Sequence, residues 1–393
     1  MKANKLIAVL LLIAIVLSAA LALILPHRLD LHLGEDAAKH EEKTEPELLD
    51  AAIVCDEEFG GVEIQIPTDE FLKLGFAYGD SVDVTFSNGY ALADLPLYNG
   101  YYSQTGAPLL VAFEGNDHIK TAINNGEGMW NAAGLSETDT ATIKLNTPGK
   151  YLDIQNARNI HYTDTRDDYE SDAVFANFRA AVGGELQADR LFRSASPCDN
   201  KHNRAPYVDT LMGEAGVQLI LDLADTDEKI AGYLEDPAFN SPNFKALYDA
   251  GKVIPVALNM NYASDEFRTS LVNGLKIMAE QKGPYLVHCT EGKDRTGYVC
   301  MLLEALCGAS YQEIVDDYMI TYANYYGLLG AKDPDRYNII VSDVLDPMIR
   351  AMLADETADL SSEDLAAAAE AYLRAGGMTD DQIAALKANL TQP

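Results

Sequence analysis

The hydrophobic pattern of the chain changes its period near residue 155, and this change limits the fold more than any other feature. Between residues 51 and 153, short apolar-polar alternations and β-branched runs are separated by Gly, Asn and Pro. Alternation with a period of two residues is typical of strands. The clearest runs are Val62 to Ile66, Ser81 to Phe86 and Thr140 to Leu145. We therefore expect residues 51–153 to form a β-rich domain.

Two segments of this β-rich region resemble each other. Residues 74–84 align with residues 133–143, and each copy has a glycine, then an aspartate, then a strand pattern. Two copies are too few for a solenoid, so they predict a small pseudo-symmetric barrel. The tyrosines in residues 98–102 fit two interpretations, either packing and rim positions of the barrel or the lining of a ligand groove.

After about residue 165, apolar runs of strand length alternate with longer helical stretches. The runs at 217–223, 253–258 and 285–288 are candidate buried strands, and residues 270–281 and 296–306 have a helical pattern. Such alternation is typical of a mostly parallel sheet flanked by helices. The sequence therefore predicts an α/β domain over residues 155–393, with a helical tail.

The first 28 residues have the composition of a membrane anchor or a signal peptide. Only Ser18 is polar between Leu6 and Leu25, and a helix of this length is just long enough to cross a hydrocarbon core of roughly 30 Å. A small-residue run at 18–22 offers a signal cleavage site instead. Both alternatives predict an extracytoplasmic protein, either membrane-anchored through an N-terminal hydrophobic helix or secreted.

The overall charge and the cysteines exclude several classes of protein. The chain has 61 acidic and 29 basic residues and a formal charge of −32, which argues against nucleic acid as a partner. Residues 29–50 are acidic and short of large apolar groups, so we expect a linker there. Five irregularly spaced cysteines do not indicate a disulfide framework, and no Cys/His cluster has zinc-like spacing. We expect no cofactor and no metal.

A ten-residue segment between a predicted strand and a predicted helix is the most informative local pattern. Residues 288–297 read His-Cys-Thr-Glu-Gly-Lys-Asp-Arg-Thr-Gly. A strand-loop-helix unit directs successive backbone N–H groups and the helix N-terminus toward one point, which creates an anion site. Phosphate is the natural occupant of such a site.

Three side chains of this loop fit the chemistry of phosphate transfer. The field that binds an anion also makes a thiol easier to ionise, so Cys289 is the candidate nucleophile. Arg295 can hold two phosphoryl oxygens and stabilise the charge of the transition state. Thr296 can place a hydroxyl near the sulfur and assist its departure. The predicted substrate-binding residues are Thr290, Glu291, Gly292, Lys293, Asp294, Arg295 and Thr296.

The loop resembles the signature of protein tyrosine phosphatases, in which His and Cys are followed after five residues by Arg, Thr and Gly. Its Gly-Lys-Asp-Arg run at 292–295 is similar to a bacterial branch of tyrosine and lipid phosphatases, the tyrosine/serine phosphatase family. Accessory segments in matching order lie at 177–179, 190–195, 222–223 and 317–319. The resemblance covers residues 155–393 and implies a tyrosine phosphatase-like domain.

The resemblance also implies a reaction and a partner. It implies hydrolysis of phosphate monoesters through a cysteinyl-phosphate intermediate, with phosphotyrosine as the first expectation and phosphoinositide or phosphoserine as alternatives. The partner is then a phosphorylated protein or lipid. Two positions depart from the family, with Ala180 in place of a common Asp and Ala224 in place of a common Arg. The nucleophile Cys289 and the clamp Arg295 are retained.

Several aspartates are candidates for the general acid that protonates the leaving group. Sequence reasoning leaves Asp294 in the loop, Asp265, and Asp225 or Asp227 after the first α/β strand. The resemblance favours Asp294 as the third catalytic residue beside Cys289 and Arg295.

Two other functional classes remain open. One is a catalytically silent phosphate-binding module whose β-rich domain engages an extracellular partner, and the other is a sulfur-transfer enzyme. A pure binding module has no need of a reactive thiol, and the Arg-Thr-Gly ending of the loop favours phosphoryl transfer.

Overall fold

The first part of the described chain closes into a β-barrel. The computed structural model describes residues 45–392, and the seven barrel strands follow the order β1-β2-β6-β5-β4-β3-β7. The strands are β1 (Glu47–Cys55), β2 (Val62–Ile64), β3 (Ser81–Phe86), β4 (Ala91–Tyr98), β5 (Pro108–Val111), β6 (Ile119–Ile123) and β7 (Thr140–Thr147). The three strands that alternation predicts are therefore present as β2, β3 and β7.

The interior of the barrel is apolar because the alternating residues of each strand point inward. Val82, Val84 and Phe86 of β3 are buried, as is Ile143 on the neighbouring β7. All pairs of adjacent strands are antiparallel except β4 and β5, which are parallel. Three helices accompany the barrel: α1 (Thr68–Lys73), α2 (Met129–Ala132) and α3 (Leu152–Arg158).

The two similar segments have the same local geometry. In the first, the Asp80 carboxylate accepts a hydrogen bond from the Ala77 N–H at 2.8 Å; in the second, Asp139 accepts one from the Ser136 N–H at 2.9 Å. These turns lead into β3 and β7, which are neighbouring antiparallel strands. A barrel is therefore confirmed, and its pseudo-symmetry stays a prediction.

The first strand begins earlier than the sequence indicates. β1 starts at Glu47, so it overlaps the predicted acidic linker (29–50), because Leu48 and its neighbours pair with β7. The rest of that linker and the predicted anchor or signal peptide (1–28) lie outside the described residues. Within residues 45–392, no helix has both the length and the apolar character needed to cross a membrane.

A five-stranded sheet organises the rest of the chain, in the order β11-β10-β12-β9-β8. Its strands are β8 (Arg179–Ala180), β9 (Leu191–Ser194), β10 (Leu219–Asp222), β11 (Val253–Pro255) and β12 (Tyr285–His288). β9 to β12 are parallel, and β8 is an antiparallel edge strand. The sheet is therefore mostly parallel, and β10, β11 and β12 lie where the sequence predicts buried strands.

Helices cover this sheet and form the C-terminal part of the chain. They are α4 (Asp172–Phe175), α5 (Ala205–Glu214), α6 (Asp227–Glu235), α7 (Pro242–Asp249), α8 (Asp265–Glu280), α9 (Asp294–Leu306), α10 (Tyr311–Tyr326), α11 (Pro334–Ile340), α12 (Asp346–Leu353), α13 (Leu365–Ala375) and α14 (Asp380–Thr391). A 3₁₀ turn spans Arg166–Asp168, and a π-helical segment, Val341–Leu345, joins α11 to α12.

The most deeply buried helix begins at the predicted phosphate loop. Every residue of α9 from Thr296 to Leu306 is buried, since α10, α13 and the sheet surround it. Cys300 and Cys307 are fully buried in this core. The helix is therefore held firmly in place, and so is the loop at its N-terminus.

Candidate active site

The predicted phosphate loop, residues 288–297, lies at the carboxyl edge of the sheet. His288, the last residue of β12, is in register with Asp222 of β10 and Ser194 of β9. The chain then turns through the loop and enters α9 at Asp294. Three parallel strands thus end beside a helix N-terminus, which is the arrangement that favours an anion.

The strand ends on either side of β12 hold the start of the loop. The Leu223 N–H donates to the His288 carbonyl at 2.9 Å, and the Ser196 N–H donates to the Thr290 carbonyl at 3.1 Å. Farther along, the Tyr325 hydroxyl of α10 donates to the carbonyl of Glu291 at 2.6 Å. Three carbonyls of the loop are therefore fixed from outside it.

Glycine is required at position 292 for two independent reasons. Its φ is +68°, in the left-handed region. A Cβ there would also overlap the carbonyl group of Ser194. The loop therefore passes against β9 at a distance that no side chain allows.

The Gly292 carbonyl is the anchor point of a buried polar network. It accepts hydrogen bonds from Asn177 Nδ2 at 3.1 Å and from Arg193 Nη2 at 3.2 Å. Arg193 also forms a 2.7 Å ion pair with Asp317 of α10. Arg179 donates to Asn177 Oδ1 at 2.7 Å and to the Asp317 carbonyl at 2.9 Å. The accessory segments at 177–179, 190–195 and 317–319 thus meet behind the loop.

The charge balance of this network involves a second buried carboxyl group. Glu304 of α9 is only 1% exposed. Burial raises the pKa of Glu304 well above its ordinary value, and the carboxylate of Asp317 raises it further. Glu304 is therefore protonated at neutral pH, and Asp317 is the carboxyl group that contacts Arg193.

The candidate nucleophile and clamp both belong to the loop. Cys289 is a free thiol and 3% exposed. Arg295, in the first turn of α9, donates from Nη1 to the Leu258 carbonyl at 3.1 Å and from Nη2 to Thr290 Oγ1 at 3.3 Å. Its guanidinium is thus held against the start of the loop, as a clamp on a bound phosphoryl group requires. Thr296 is fully buried, and no partner for its hydroxyl is found among residues 45–392.

His288 and Asp222 form a buried pair beneath the loop. His288 Nε2 lies 3.7 Å from Asp222 Oδ2. Burial lowers the pKa of His288 to about 4 and raises the pKa of Asp222 to about 7. At neutral pH the imidazole is therefore uncharged, and its Nδ1 lies 3.4 Å from the carbonyl oxygen of Cys289. The two groups are too far apart for a hydrogen bond, and His288 Nε2 has no hydrogen-bond partner among residues 45–392.

The four candidate acids have different surroundings. Asp294 is part of the loop, and its carboxylate lies 3.8 Å from Lys293 Nζ. Asp265 is 88% exposed at the start of α8 and pairs with Arg268. Asp225 is buried, and its Oδ1 accepts from the Tyr233 hydroxyl at 3.3 Å. Asp227 accepts from the Tyr248 hydroxyl at 2.8 Å.

Lys293 lies among carboxylates and tyrosines. It is 3.3 Å from the Glu291 carboxylate and 3.3 Å from the Tyr326 hydroxyl. Although burial opposes it, the carboxylates of Asp294 and Glu291 raise the pKa of Lys293 well above its ordinary value. Lys293 is therefore cationic but already largely neutralised.

Sequence reasoning missed the tyrosines that support the loop. Tyr325 holds the Glu291 carbonyl, and Tyr162 stacks on Tyr325 with ring centroids 5.0 Å apart. A signal was available, because Tyr318, Tyr322, Tyr325 and Tyr326 recur at helical spacing along one face of α10. Tyr318 itself is buried against Gly297.

One buried group outside the loop offers metal-ligand atoms. Cys198, Asp222 and Asp225 each place one such atom within 4.8 Å of the others. The Asp222 carboxylate already accepts hydrogen bonds from the Ala224 and Asp225 N–H groups at 2.9 and 3.1 Å. The Cys198 thiol lies 3.9 Å from the other carboxylate oxygen of Asp222. Asp222 thus stabilises the turn after β10 through its hydrogen bonds to backbone N–H groups.

The two departures from the family pattern lie near these groups. Ala180 is on the edge strand β8, where it pairs with Phe192. Ala224 lies in the turn after β10 and uses its backbone N–H rather than a side chain. Neither position alters the hydrogen bonds that hold the Gly292 carbonyl.

Comparison with known proteins gives one family and several distant likenesses. The tyrosine phosphatase family model matches residues 154–392. A tyrosine-protein phosphatase of Nostoc commune is 50% identical over 46 residues, which are 12% of this chain and 16% of that protein. The chain thus matches only about one sixth of the length of that relative.

Two solved phosphatases show weak structural likeness. The core catalytic domain of the PP-IP phosphatase SIW14 from S. cerevisiae is 20% identical, with a TM-score of 0.25, over 44% of this chain and 89% of that one. The P. aeruginosa TpbA in complex with phosphotyrosine is 17% identical, with a TM-score of 0.28, over 47% and 87%. These scores are too low to support a fold argument.

The family assignment rests on the extent of the family match and on the loop. The matched region covers more than half of the chain and contains the loop, the sheet and the buried network. The chain belongs to the tyrosine phosphatase family.

Proposed function

We propose that this protein hydrolyses phosphate monoesters through a cysteinyl-phosphate intermediate. The observation that carries the proposal is the loop at the carboxyl edge of the sheet, with Cys289 and Arg295 at its two ends and α9 behind it. A helix N-terminus and a guanidinium both favour the dianion and the charge that develops in the transition state.

The first step forms the phosphoenzyme. The Cys289 thiolate attacks the phosphorus, an S–P bond forms, and the bond from phosphorus to the ester oxygen breaks. Arg295 binds two phosphoryl oxygens, and Asp294 donates a proton to the leaving oxygen. Asp294 is favoured over Asp265, whose carboxylate is exposed and paired with Arg268.

The second step releases phosphate. Asp294, now ionised, accepts a proton from water as the water oxygen attacks the phosphorus. The S–P bond breaks, and the Thr296 hydroxyl, which has no partner among the described residues, stabilises the departing thiolate. This step regenerates Cys289 and protonated Asp294.

Phosphotyrosine is the proposed substrate group, with phosphoinositide and phosphoserine as alternatives. Support comes from the family match and from the depth of the loop, since Cys289 is nearly buried and a long aromatic side chain can reach it. A silent phosphate-binding module is the alternative function, but it gives Cys289 no role.

The test is release of p-nitrophenol from p-nitrophenyl phosphate by the purified full-length protein. Cys289→Ser is expected to lower kcat by at least about 10³-fold, because the nucleophile is removed. Cys55→Ser, in the barrel, is the matched control and should retain the parent rate. Equal rates for the parent and Cys289→Ser would contradict the mechanism.

A second experiment identifies the general acid. The phenol of tyrosine is less acidic than p-nitrophenol, so its departure depends more on protonation of the ester oxygen. Asp294→Ala should therefore slow hydrolysis of a phosphotyrosine peptide more than that of p-nitrophenyl phosphate, and Asp265→Ala should slow neither. The reverse pattern would assign the role to Asp265.

A further inference from the structure

A large cavity separates the barrel from the phosphate loop. Its volume is about 980 Å³, at the upper end of the range of roughly 300 to 1,000 Å³ typical of small-molecule sites. The barrel contributes Tyr101, Tyr102 and Lys120, and the loop contributes Lys293 and Asp294. The cavity therefore has room for more than one phosphorylated side chain.

The position of Asp294 determines which part of a substrate lies in this cavity. A general acid must reach the oxygen of the leaving group. Asp294 is part of the cavity wall, whereas Cys289 and Arg295 are not among the described residues that line it. If Asp294 is the acid, the phosphate lies in the loop and the organic part of the substrate extends into the cavity, toward the barrel.

The cations of the cavity are already neutralised. Lys120 is 2.7 Å from Asp56, and Arg158 of α3 is 2.7 Å from Asp343. Lys293 is 3.3 Å from Glu291, as described above. A second phosphate group would have to displace one of these carboxylates.

Carboxylates outnumber the permanent cations in the wall. With Asp294 protonated as the proposed acid, the remaining acidic lining residues are Asp56, Glu127, Asp343 and Glu356, against Lys120, Arg158 and Lys293. Glu127 and Glu356 are exposed. The wall is therefore unfavourable for a polyphosphorylated lipid headgroup and favourable for neutral or basic groups.

The uncharged part of the wall suits a polypeptide. Tyr101 and Tyr102 of the barrel line the cavity together with Tyr262 and Tyr326 of the phosphatase-like domain (155–393). The amide side chains of the wall are Gln104, Asn124, Asn125 and Asn261. Aromatic rings provide contact area at low entropic cost, and amides can pair with peptide N–H and C=O groups.

We propose that the barrel is a substrate-selection domain, which binds the polypeptide on either side of a phosphotyrosine and prefers segments with neutral or basic neighbours. This inference rests on the proposed phosphatase function. In this proposal, the barrel forms the wall of the cavity opposite the phosphate loop. The substrate is then a phosphorylated protein rather than a phosphoinositide.

The experiment compares three phosphotyrosine peptides whose flanking residues are basic, neutral or acidic, using the full-length protein. We expect kcat/KM to decrease from basic to acidic flanks. Glu127→Lys should raise kcat/KM for the acidic peptide roughly two- to fivefold, the size of one partly screened charge contact. The readout is the ratio of kcat/KM for the acidic peptide to kcat/KM for the basic peptide, so a change in rate that is common to all substrates cancels.

The matched control is Glu137→Lys, which makes the same charge change on an exposed part of the barrel that is not among the residues lining the cavity. It should leave the peptide order unchanged. Equal kcat/KM for the three peptides, or equal effects of the two lysine variants, would overturn the inference while p-nitrophenyl phosphate hydrolysis still supports the phosphatase function. Faster hydrolysis of phosphoinositide in phosphatidylcholine vesicles than of any peptide would also overturn it.

Discussion

The two sides of the phosphate loop are built in opposite ways. Behind the loop, Arg193 and Asp317 are 1% and 0% exposed and form an ion pair, and Arg193 donates a hydrogen bond to the Gly292 carbonyl. In front of it, the barrel wall carries exposed side chains such as Tyr101 and Glu127. In the proposed function, the chemistry therefore depends on a rigid, buried support, and the proposed selectivity depends on a surface that can change without loss of the fold.

The largest effect is expected at the centre of the buried support. Asp317→Asn leaves Arg193 and Arg179 without their buried counter-charge, so the free energy of unfolding should fall by about 3 to 5 kcal/mol. Glu304→Gln, the matched control, should cost less than about 1 kcal/mol because that carboxyl group is already protonated. Urea denaturation at pH 7 measures both free energies of unfolding, and equal losses would contradict the protonated state of Glu304.

The next effect depends on pH. Burial raises the pKa of Asp222 to about 7, against about 3.9 in an unfolded chain. Between about pH 4 and pH 7, Asp222 retains its proton in the folded protein but has released it in the unfolded chain. The contribution of Asp222 to stability is therefore lost as the pH rises through this range. Asn does not titrate, so the Asp222→Asn variant does not lose stability in this way. The free energy of unfolding of the variant minus that of the parent should therefore increase from pH 4 to pH 7, by up to about 4 kcal/mol. A constant difference in denaturation midpoint across this range would contradict the assignment.

A smaller effect on stability is expected at Gly292, together with a loss of activity. Gly292→Ala must displace β9 or the loop, because the new Cβ overlaps the Ser194 carbonyl group. Gly308→Ala is the control, since its φ is also positive but, apart from its two neighbours in the chain, no residue of the described chain lies within 4 Å of the added Cβ. We expect Gly292→Ala to be less stable than the control by about 2 kcal/mol and to hydrolyse p-nitrophenyl phosphate at least about tenfold more slowly. Similar rates for the two variants would show that the loop tolerates displacement.

Local patterns in the sequence predict the loop and the strands around it, but not the contacts behind it. The strand at 285–288 and the helix after it follow from a continuous apolar run and from helical periodicity, which are properties of neighbouring residues. The bond from Arg193 to the Gly292 carbonyl joins positions 99 residues apart. No periodicity encodes such a pair, so the accessory segments were recognisable only by family resemblance.

The barrel shows the same limit. Its repeated turns were predictable because Asp80 and Asp139 act on residues three positions away. The sequence could not decide whether the tyrosines of residues 98–102 pack or line a groove, because the answer depends on which distant residues lie opposite them. Tyr98 is buried in a small cluster with Leu109 and Val111, separate from the barrel core, as the packing interpretation requires, whereas Tyr101 and Tyr102 line the cavity.

The two hydrogen bonds to the Gly292 carbonyl also determine the direction of the following N–H group. The carbonyl of Gly292 and the N–H of Lys293 belong to one planar trans peptide, in which the two bonds point in opposite directions. With the oxygen held by Asn177 and Arg193, rotation of that peptide plane would break both hydrogen bonds at once. If the Lys293 N–H binds phosphate as the proposed function requires, its direction is set by two side chains on the opposite side of the peptide, and Asn177 and Arg193 act on the substrate through the backbone alone.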